Sequence, residues 1–585
     1  MFPSRGFPRL CTRWLAGEVT LCPQFTGVVI CLSHLEFSGE PDVPPPPRRP
    51  GPGHPAPGRL LPDHPGELPE GRGRHEARRG PRHPGQARRG FRRRPWPPEH
   101  LHRDLERQQA CDPGQLRRRH RGAQAHRPGA EVMSRILDAV TAVLVHDGEV
   151  LVMRRQPWLS AFPGFNAFPG GKIDKTDGDN PPACRSLDGV EPRQAEALAR
   201  EVLEELGWDL PAACNAGLVA GASLLGTALT PPVFPVRFNT HFYRVDLRER
   251  PSITIDTNEV AEAFWAPPAE LVRRYEAGEL LMAPPSLETL RALAADISAT
   301  TVPRLHFEHR GDGELPMVEQ VCGVRHIWVR SHTIPPAQHT NAYILGDMQS
   351  HRVLVDPSPA DDEEMEKLLA MAQRYGVHEI FLTHHHHDHR ERADVMARRM
   401  QIPIGMSDDT RGRIWDRTEG KFFEGIPSVN VYREGDVLCR WLGQAVRVIE
   451  VPGHDQGQLA LMPENRAWCL VGDLIQGLGT VVIAKPEGHM GRYFESLRKI
   501  IALDPKVILP SHGAALGTVY RLVETLKHRE ARELQILDLH NQGRDVEEML
   551  PIVYAGVDKA LWPLARMNIE GHLDKLREEG RLAAA

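Results

Sequence analysis

The sequence predicts an α/β protein in which two α/β sandwiches follow one another, with a disordered arm in front and a small helical tail behind. Three observations carry this reading. Thr383-His384-His385-His386-His387-Asp388-His389 lies between a short apolar run, Glu379-Ile380-Phe381-Leu382, and a helical pattern from Glu391 to Met400. Phe168-Pro169-Gly170-Gly171-Lys172-Ile173-Asp174 leads through a loop into a glutamate-rich helix spanning Arg200 to Trp208. The first is a strand, loop and helix succession, and loops of this kind carry chemistry in α/β layers. Finally, 585 residues exceed what one core accommodates and correspond to roughly three to four domain-sized units.

The arm runs from residue 1 to 132. It holds no lysine but is dense in Arg, Pro, Gly and His, including Pro44 to Pro47 and Arg92-Arg93-Arg94. Such a stretch buries too little apolar surface to offset its ordering entropy, so disorder is expected. Arginine without lysine is what translation of a GC-rich upstream region gives, and Met133 precedes the first regular strand. The expectation is therefore a start at Met133, with a nucleic-acid-binding tail and a targeting segment as the alternatives. The apolar patch Val28 to Leu32 is too short to span a bilayer and lacks signal-peptide order. Net charge is only -5, so no global field points to nucleic acid or membrane. The nine cysteines are scattered singly with no Cys-x-x-Cys pair, which fits reduced thiols in a cytoplasm.

The first folded unit is expected over residues 133–296. Leu137 to His146 and Glu149 to Arg154 read as strands joined by an Asp147-Gly148 hairpin turn. In the helix, Glu201, Glu204 and Glu205 stand at i, i+3 and i+4, which places three carboxylates on one face, while Val202, Leu203 and Leu206 face the core. A solvated glutamate helix is commonplace, but the Gly-Gly loop in front favours a catalytic one. Together the segments resemble the Nudix box, Gly-x5-Glu-x7-Arg-Glu-u-x-Glu-Glu-x-Gly-u with u apolar. The second half matches from Arg200 to Trp208. In the first half Gly171 fits, the glutamate position falls on Asp177, and about fifteen extra residues intervene. The resemblance implies an α/β/α sandwich that hydrolyses diphosphates with Mg2+ or Mn2+ held by Glu201, Glu204 and Glu205, one of them, Glu201, being the catalytic candidate, and with Arg200 orienting the helix. The box expansion, Arg154-Arg155-Gln156 and Ala283-Pro284-Pro285-Ser286 resemble the coenzyme A diphosphatase branch.

The second unit is expected over residues 302–518. His326 to Arg330, Asn341 to Leu345 and Val353 to Asp356 read as strands, and Glu363 to Tyr375 as a helix leading to the histidines. His384 and His386 can converge on one cation while Asp388 and His389 turn to a second; imidazole with carboxylate suits zinc or a similar divalent metal. Taken alone, the histidines read equally well as a solvated tract. Three later β-runs alter that, ending in His454 (Pro452-Gly453-His454-Asp455), Asp473 (Val471-Gly472-Asp473) and His512 (Ser511-His512-Gly513). This set resembles the metallo-β-lactamase superfamily, whose fold is an αββα sandwich. The resemblance implies one ion on His384, His386 and His454, another on Asp388, His389 and His512, a bridging Asp473, and a catalytic role for Asp388. His385 and His387 receive no metal role. Gly472-Asp473-Leu474 resembles the glyoxalase II and nuclease-like branches rather than true β-lactamases, and the run to Gly513 resembles lactamase-beta-2-like hydrolases.

Residues 521–585 read as three short helices that resemble the winged-helix unit of that branch; the mixed charges of Lys575, Arg577, Glu578 and Glu579 suggest a solvated face. Two functions compete. One is a two-headed, metal-dependent hydrolase of small molecules, with two Zn2+ in one head and Mg2+ or Mn2+ in the other, acting on an ester or thioester and on a coenzyme A derivative or nucleotide. The alternative is an endoribonuclease for single-stranded RNA. Aromatic residues are only 6% of the chain and form no stripe with basic ones, which favours small molecules. No membrane partner is expected.

Overall fold

The computed structural model describes residues 135–231, 236–305 and 313–582. The arm and the start expected at Met133 lie outside these residues.

In the first unit, strands β1 (Arg135–His146), β2 (Glu149–Arg155), β3 (Asn166–Ala167), β4 (Gly170–Lys172), β5 (Val219–Leu229), β6 (Val236–Leu247) and β7 (Val260–Ala266) form one mixed sheet. Its order is β3-β2-β1-β6-β5, with β4 beside β1 and β7 beside β2. The β1–β2 turn places Asp147 and Gly148 at φ 46° and 79°, as a tight hairpin with matching twist requires. Alternation along β1 sends Val140, Ala142 and Leu144 against helices α1 (Pro192–Leu206) and α2 (Leu210–Asn215). Val143 and Val145 pack on the other face, against α3 (Pro268–Glu276) and α4 (Pro284–Ala295). Val202 and Leu206, one helical turn apart, are buried as expected; Leu203 is not, being 49% exposed because the helical period turns it off that stripe. The expectation of unpaired thiols fails at one pair. The extra residues ahead of α1 carry Cys184 to Cys214 at the end of α2, and the two form a disulfide; Cys322, Cys439 and Cys469 are free.

The second unit has two sheets. The first runs β14-β13-β12-β11-β10-β9-β8, from β8 (Met317–Val321), β9 (Val324–Arg330), β10 (His339–Leu345), β11 (Val353–Val355), β12 (Glu379–Phe381), β13 (Ile404–Met406) and β14 (Val429–Val431). The second runs β15 to β20 in order: β15 (Val437–Trp441), β16 (Gln444–Glu450), β17 (Leu459–Pro463), β18 (Cys469–Leu470), β19 (Val507–Leu509) and β20 (Leu516–Gly517). Tyr343 and Leu345 of β10 point between the sheets, where Trp441, Val448, Leu461 and Trp468 meet them. Ala342 and Ile344 point outward, against α5 (Asp362–Arg374) and the helix after the histidines. On the far side, Ile449, Ala460 and Val471 pack against Tyr493, Phe494 and Leu497 of a helix over Met490–Leu503. These four layers are the αββα sandwich. A short helix, α6 (His387–Arg390), precedes the expected one, which is present as α7 (Ala393–Met400) and starts after Arg392, whose φ is 58°. Asp388 and His389 therefore sit on a helical turn rather than on an extended loop.

The two sandwiches meet at a close seam. Gly164, at φ 73°, lies so near Gly517 that a Cβ would stand 2.7 Å from the Gly517 Cα, and Gly517 N donates to Pro163 O at 2.8 Å. The tail is all helical in its described part, with long helices at Tyr520–Asn541 and Trp562–Glu578 flanking a short one at Val546–Val553. The solvated-face reading fails at Lys575, which is buried and pairs with Glu533 at 2.9 Å. Asn568 and Arg529 of the two long helices grip the loop at residues 481–483. Ile483 N donates to Asn568 Oδ1 at 3.1 Å, and Arg529 Nη2 donates to Val481 O at 2.5 Å.

Candidate active sites

At the shared edge of the two sheets, strand ends bring together all seven ligand candidates of the second unit. His386 Nδ1 lies 3.1 Å from His384 Nε2 and 3.0 Å from His454 Nε2. Donors around one tetrahedral ion with bonds of ~2.0–2.1 Å stand roughly 3.3 Å apart, so the trio has the spacing of a metal cradle. Asp388, His389 and His512 form a second cluster, with His512 Nε2 3.6 Å from Asp388 Oδ2 and His389 Nε2 3.9 Å from Asp388 Oδ1. Asp473 stands between them. Its Oδ2 is 3.7 Å from both His454 Nε2 and His389 Nε2, and its Oδ1 is 3.5 Å from His512 Nε2. His389 Nε2, His512 Nε2 and Asp473 Oδ1 are buried without a hydrogen-bond partner. Orphaned polar atoms converging in a buried site are what a metal would satisfy, so these residues fit divalent ions.

Each imidazole is fixed from behind. His389 Nδ1 meets Asp356 Oδ2 at 2.9 Å, His384 Nδ1 meets Thr383 Oγ1 at 3.0 Å, His454 Nδ1 meets Val482 O at 2.8 Å and His512 Nδ1 meets His339 O at 2.9 Å. Such outer contacts set tautomer and ring angle. Burial, and then the neighbouring histidines, push His384 well below the usual imidazole range. Burial with His386 takes His454 to about 4, so both are neutral donors. Burial opposes charge on His389 too, but Asp388, Asp473 and Asp356 outweigh it and raise its pKa well above the ordinary value. Asp473 is held far below the carboxylate range, since His512, His389 and His454 overcome its desolvation.

Three residues here escaped the sequence reading. Asp356 is one, although the residue ending β11 was in view; its backbone sits at φ 47°, and Thr383 N and Oγ1 both donate to it, at 2.8 and 2.7 Å. The others are Glu487, whose Oε2 is 3.0 Å from His386 Nε2, and Asp455, which pairs with the fully buried His385. His385 Nε2 also lies 3.3 Å from Glu487 Oε1. No spacing rule announces Glu487, because it arrives on a remote loop.

The glutamates of the first unit are arranged differently from expectation. Glu205 is buried and accepts from Gly170 N at 2.8 Å; Glu201 is buried against Gly171, where a Cβ would collide with its carboxylate at 2.4 Å. Glu204 is exposed, and the three carboxylates do not converge as one cluster. Arg200 Nη1 gathers Glu201 at 2.8 Å and Glu204 at 3.1 Å, while its Nη2 donates to Asp177 at 3.0 Å. The departure from glutamate to aspartate and the insertion thus leave the clamp on Arg200 intact. Burial lifts Glu205 to about 8 and raises Glu201; a further acid, Glu259, adds to both.

Fold and sequence define a chain of two hydrolase domains, the first on a Nudix sandwich and the second on an αββα sandwich. The chain belongs to the metallo-beta-lactamase superfamily, whose family model matches residues 335–512; a NUDIX domain matches 136–285 and a beta-lactamase associated winged helix domain 546–584. Beta-lactamase-like protein 2 homolog of Drosophila melanogaster is 30% identical over 266 residues, covering 42% of this chain and 84% of that protein. Atrochrysone carboxyl ACP thioesterase AgnL7 of Paecilomyces divaricatus is 27% identical over 315 residues, 51% of this chain and 91% of that protein. A NUDIX hydrolase structure from Alicyclobacillus acidocaldarius is 28% identical, with a TM-score of 0.24, covering 28% of this chain and 93% of that one.

Proposed function

We propose that the second unit hydrolyses a thioester at a binuclear zinc-type centre and that the Nudix unit cleaves a diphosphate of coenzyme A type. The observation that carries the first half is the position of Asp473, with one oxygen facing both clusters and the other facing His512. His384, His386 and His454 would hold one ion, and Asp388, His389 and His512 the other, with Asp473 shared. Ions held there would lower the pKa of a water and stabilise the oxygen charge that develops during hydrolysis. Asp388, the least buried of the second cluster, is placed to orient a water and accept its proton, while His384 and His454, held neutral by burial, carry no competing proton. A thioester is the substrate class because two of the similar fungal proteins are named as acyl carrier thioesterases.

In the Nudix unit, Glu201 and Glu205, buried beside the Gly170-Gly171 loop, would hold Mg2+ or Mn2+, and Glu204, expected as a third ligand, stays on Arg200 at the exposed edge of the helix. The ion would neutralise charge on the leaving phosphate, and hard oxygen donors suit it. Glu201 is the candidate base, and Arg200 locks the helix to Asp177 and the backbone of Lys172.

The full chain, loaded with Zn2+ and Mn2+ and given an acyl coenzyme A, tests both halves. Free thiol release should vanish in His384→Ala and persist in Glu205→Gln; release of adenosine 3',5'-bisphosphate should show the reverse. Loss of both products in either variant would mean one shared site, and cleavage of single-stranded RNA without thiol release would move the second head to a nuclease role.

A further inference from the structure

We propose that His332, His387 and Glu391 form a third, solvent-open site for a divalent transition metal, separate from the seven ligands described above. His332 Nδ1 lies 2.8 Å and His387 Nε2 3.4 Å from the same carboxylate oxygen, Glu391 Oε2, and the three donor atoms all lie within 4.8 Å of one another. Two imidazoles closing on one oxygen approach the spacing of donors that share an ion at ~2.0–2.1 Å. The chain supplies the donors from two places. His387 and Glu391 stand at i and i+4 across the turn of α6, which brings them to one face, and His332 reaches them from the segment between β9 and β10.

The carboxylate is prepared for the task. Glu391 N donates to His387 O at 2.9 Å and to Ser358 Oγ at 3.3 Å, so its backbone is fixed. Arg392 Nη1 holds the other carboxylate oxygen, Oε1, which leaves Oε2 to face the histidines. Glu391 is 12% exposed, whereas the side chains of His332 and His387 are 64% and 61% exposed, so the trio is open on its outer side. Three protein donors leave at least one position for water or an anionic group. His387 and Glu391 also line a cavity of about 580 Å³. Two imidazoles and one carboxylate select Zn2+, Cu2+ or Ni2+ over Mg2+ or Ca2+. The simpler reading is a surface ion pair shared by two histidines, and it binds no metal.

The four consecutive histidines could also take up metal adventitiously, so the decisive substitution lies outside them. The full chain, stripped with a chelator and titrated with Zn2+ alone, is analysed by calorimetry and by elemental analysis of the dialysed protein, beside His332→Ala and Glu391→Gln. The expected result is one equivalent fewer in each variant than in the wild type, with the tighter equivalents retained and the melting temperature unchanged for His332→Ala. Equal stoichiometry in wild type and His332→Ala would overturn the site, because an adventitious histidine tract is intact in that variant. With Cu2+, electron paramagnetic resonance should lose one nitrogen-rich signal in His332→Ala; a spectrum identical to the wild type would likewise overturn it.

Discussion

Asp356 Oδ2 meets His389 Nδ1 at 2.9 Å, and the same oxygen accepts from Thr383 Oγ1 at 2.7 Å, which in turn lies 3.0 Å from His384 Nδ1. One buried carboxylate on the end of β11 therefore steadies an imidazole in each cluster. Asp356→Asn keeps a residue tolerant of the observed left-handed φ while removing the charge. It should weaken metal binding by about 10–100-fold, the usual effect of losing such a partner, as read by chelator competition. Unchanged affinity would make Asp356 a packing residue only.

The helical tail reaches the same centre. Asn568 Oδ1 fixes Ile483 N, and the adjacent Val482 O holds His454 Nδ1. Asn568→Ala should lower the metal affinity of the His384–His386–His454 cluster by up to about tenfold and leave diphosphate cleavage unchanged. Equilibrium dialysis with Zn2+ and the two product assays separate the outcomes.

Protons should be released when the Nudix unit takes up Mn2+. Glu205 has its pKa raised from 4.5 to about 8, so near pH 7 the folded chain still holds a proton that the unfolded chain has lost. The sign follows from linkage: this group destabilises the fold increasingly as pH climbs from 4.5 to about 8, and ion binding reverses the protonation. Calorimetry in buffers of different ionisation enthalpy should show up to about one proton released at pH 7 and almost none at pH 9. In Glu205→Gln this pH dependence of stability should flatten.

His385 is fully buried beside Asp455 and 3.3 Å from Glu487. Burial works to raise the Asp455 pKa, but His385 outweighs it and holds it below the ordinary value. Removing the imidazole leaves the buried Asp455 charge with only the Gly457 N–H, at 2.7 Å, to answer it. His385→Ala should therefore cost about 3–5 kcal/mol in denaturant unfolding, whereas exposed His387→Ala should cost little. Acid should also cost stability as Asp455 is protonated, in a window below its ordinary pKa.

Much of this was legible in the sequence, because strand ends and ligand spacings are local properties. A β-run that stops at a histidine or an aspartate places that residue at a sheet edge, so His384, His386, Asp388, His389, His454, Asp473 and His512 could all be named from their positions, and the Gly-Gly loop with Arg200 to Gly207 likewise marked a helix facing a loop. What tertiary structure decided was long-range. Packing of Gly171 on Glu201 and of Gly170 on Glu205 divides the three glutamates into buried and exposed. The fold of the insertion brings Cys184 to Cys214 and lets Asp177 serve Arg200. Asp356 and Glu487 are lone carboxylates whose importance appears only where the chain returns to the histidines, and Asn568 reaches His454 through a loop from another domain. Spacing along a chain fixes which residues share one turn or strand end, but hydrogen bonds spanning a hundred residues exist only once the layers have packed.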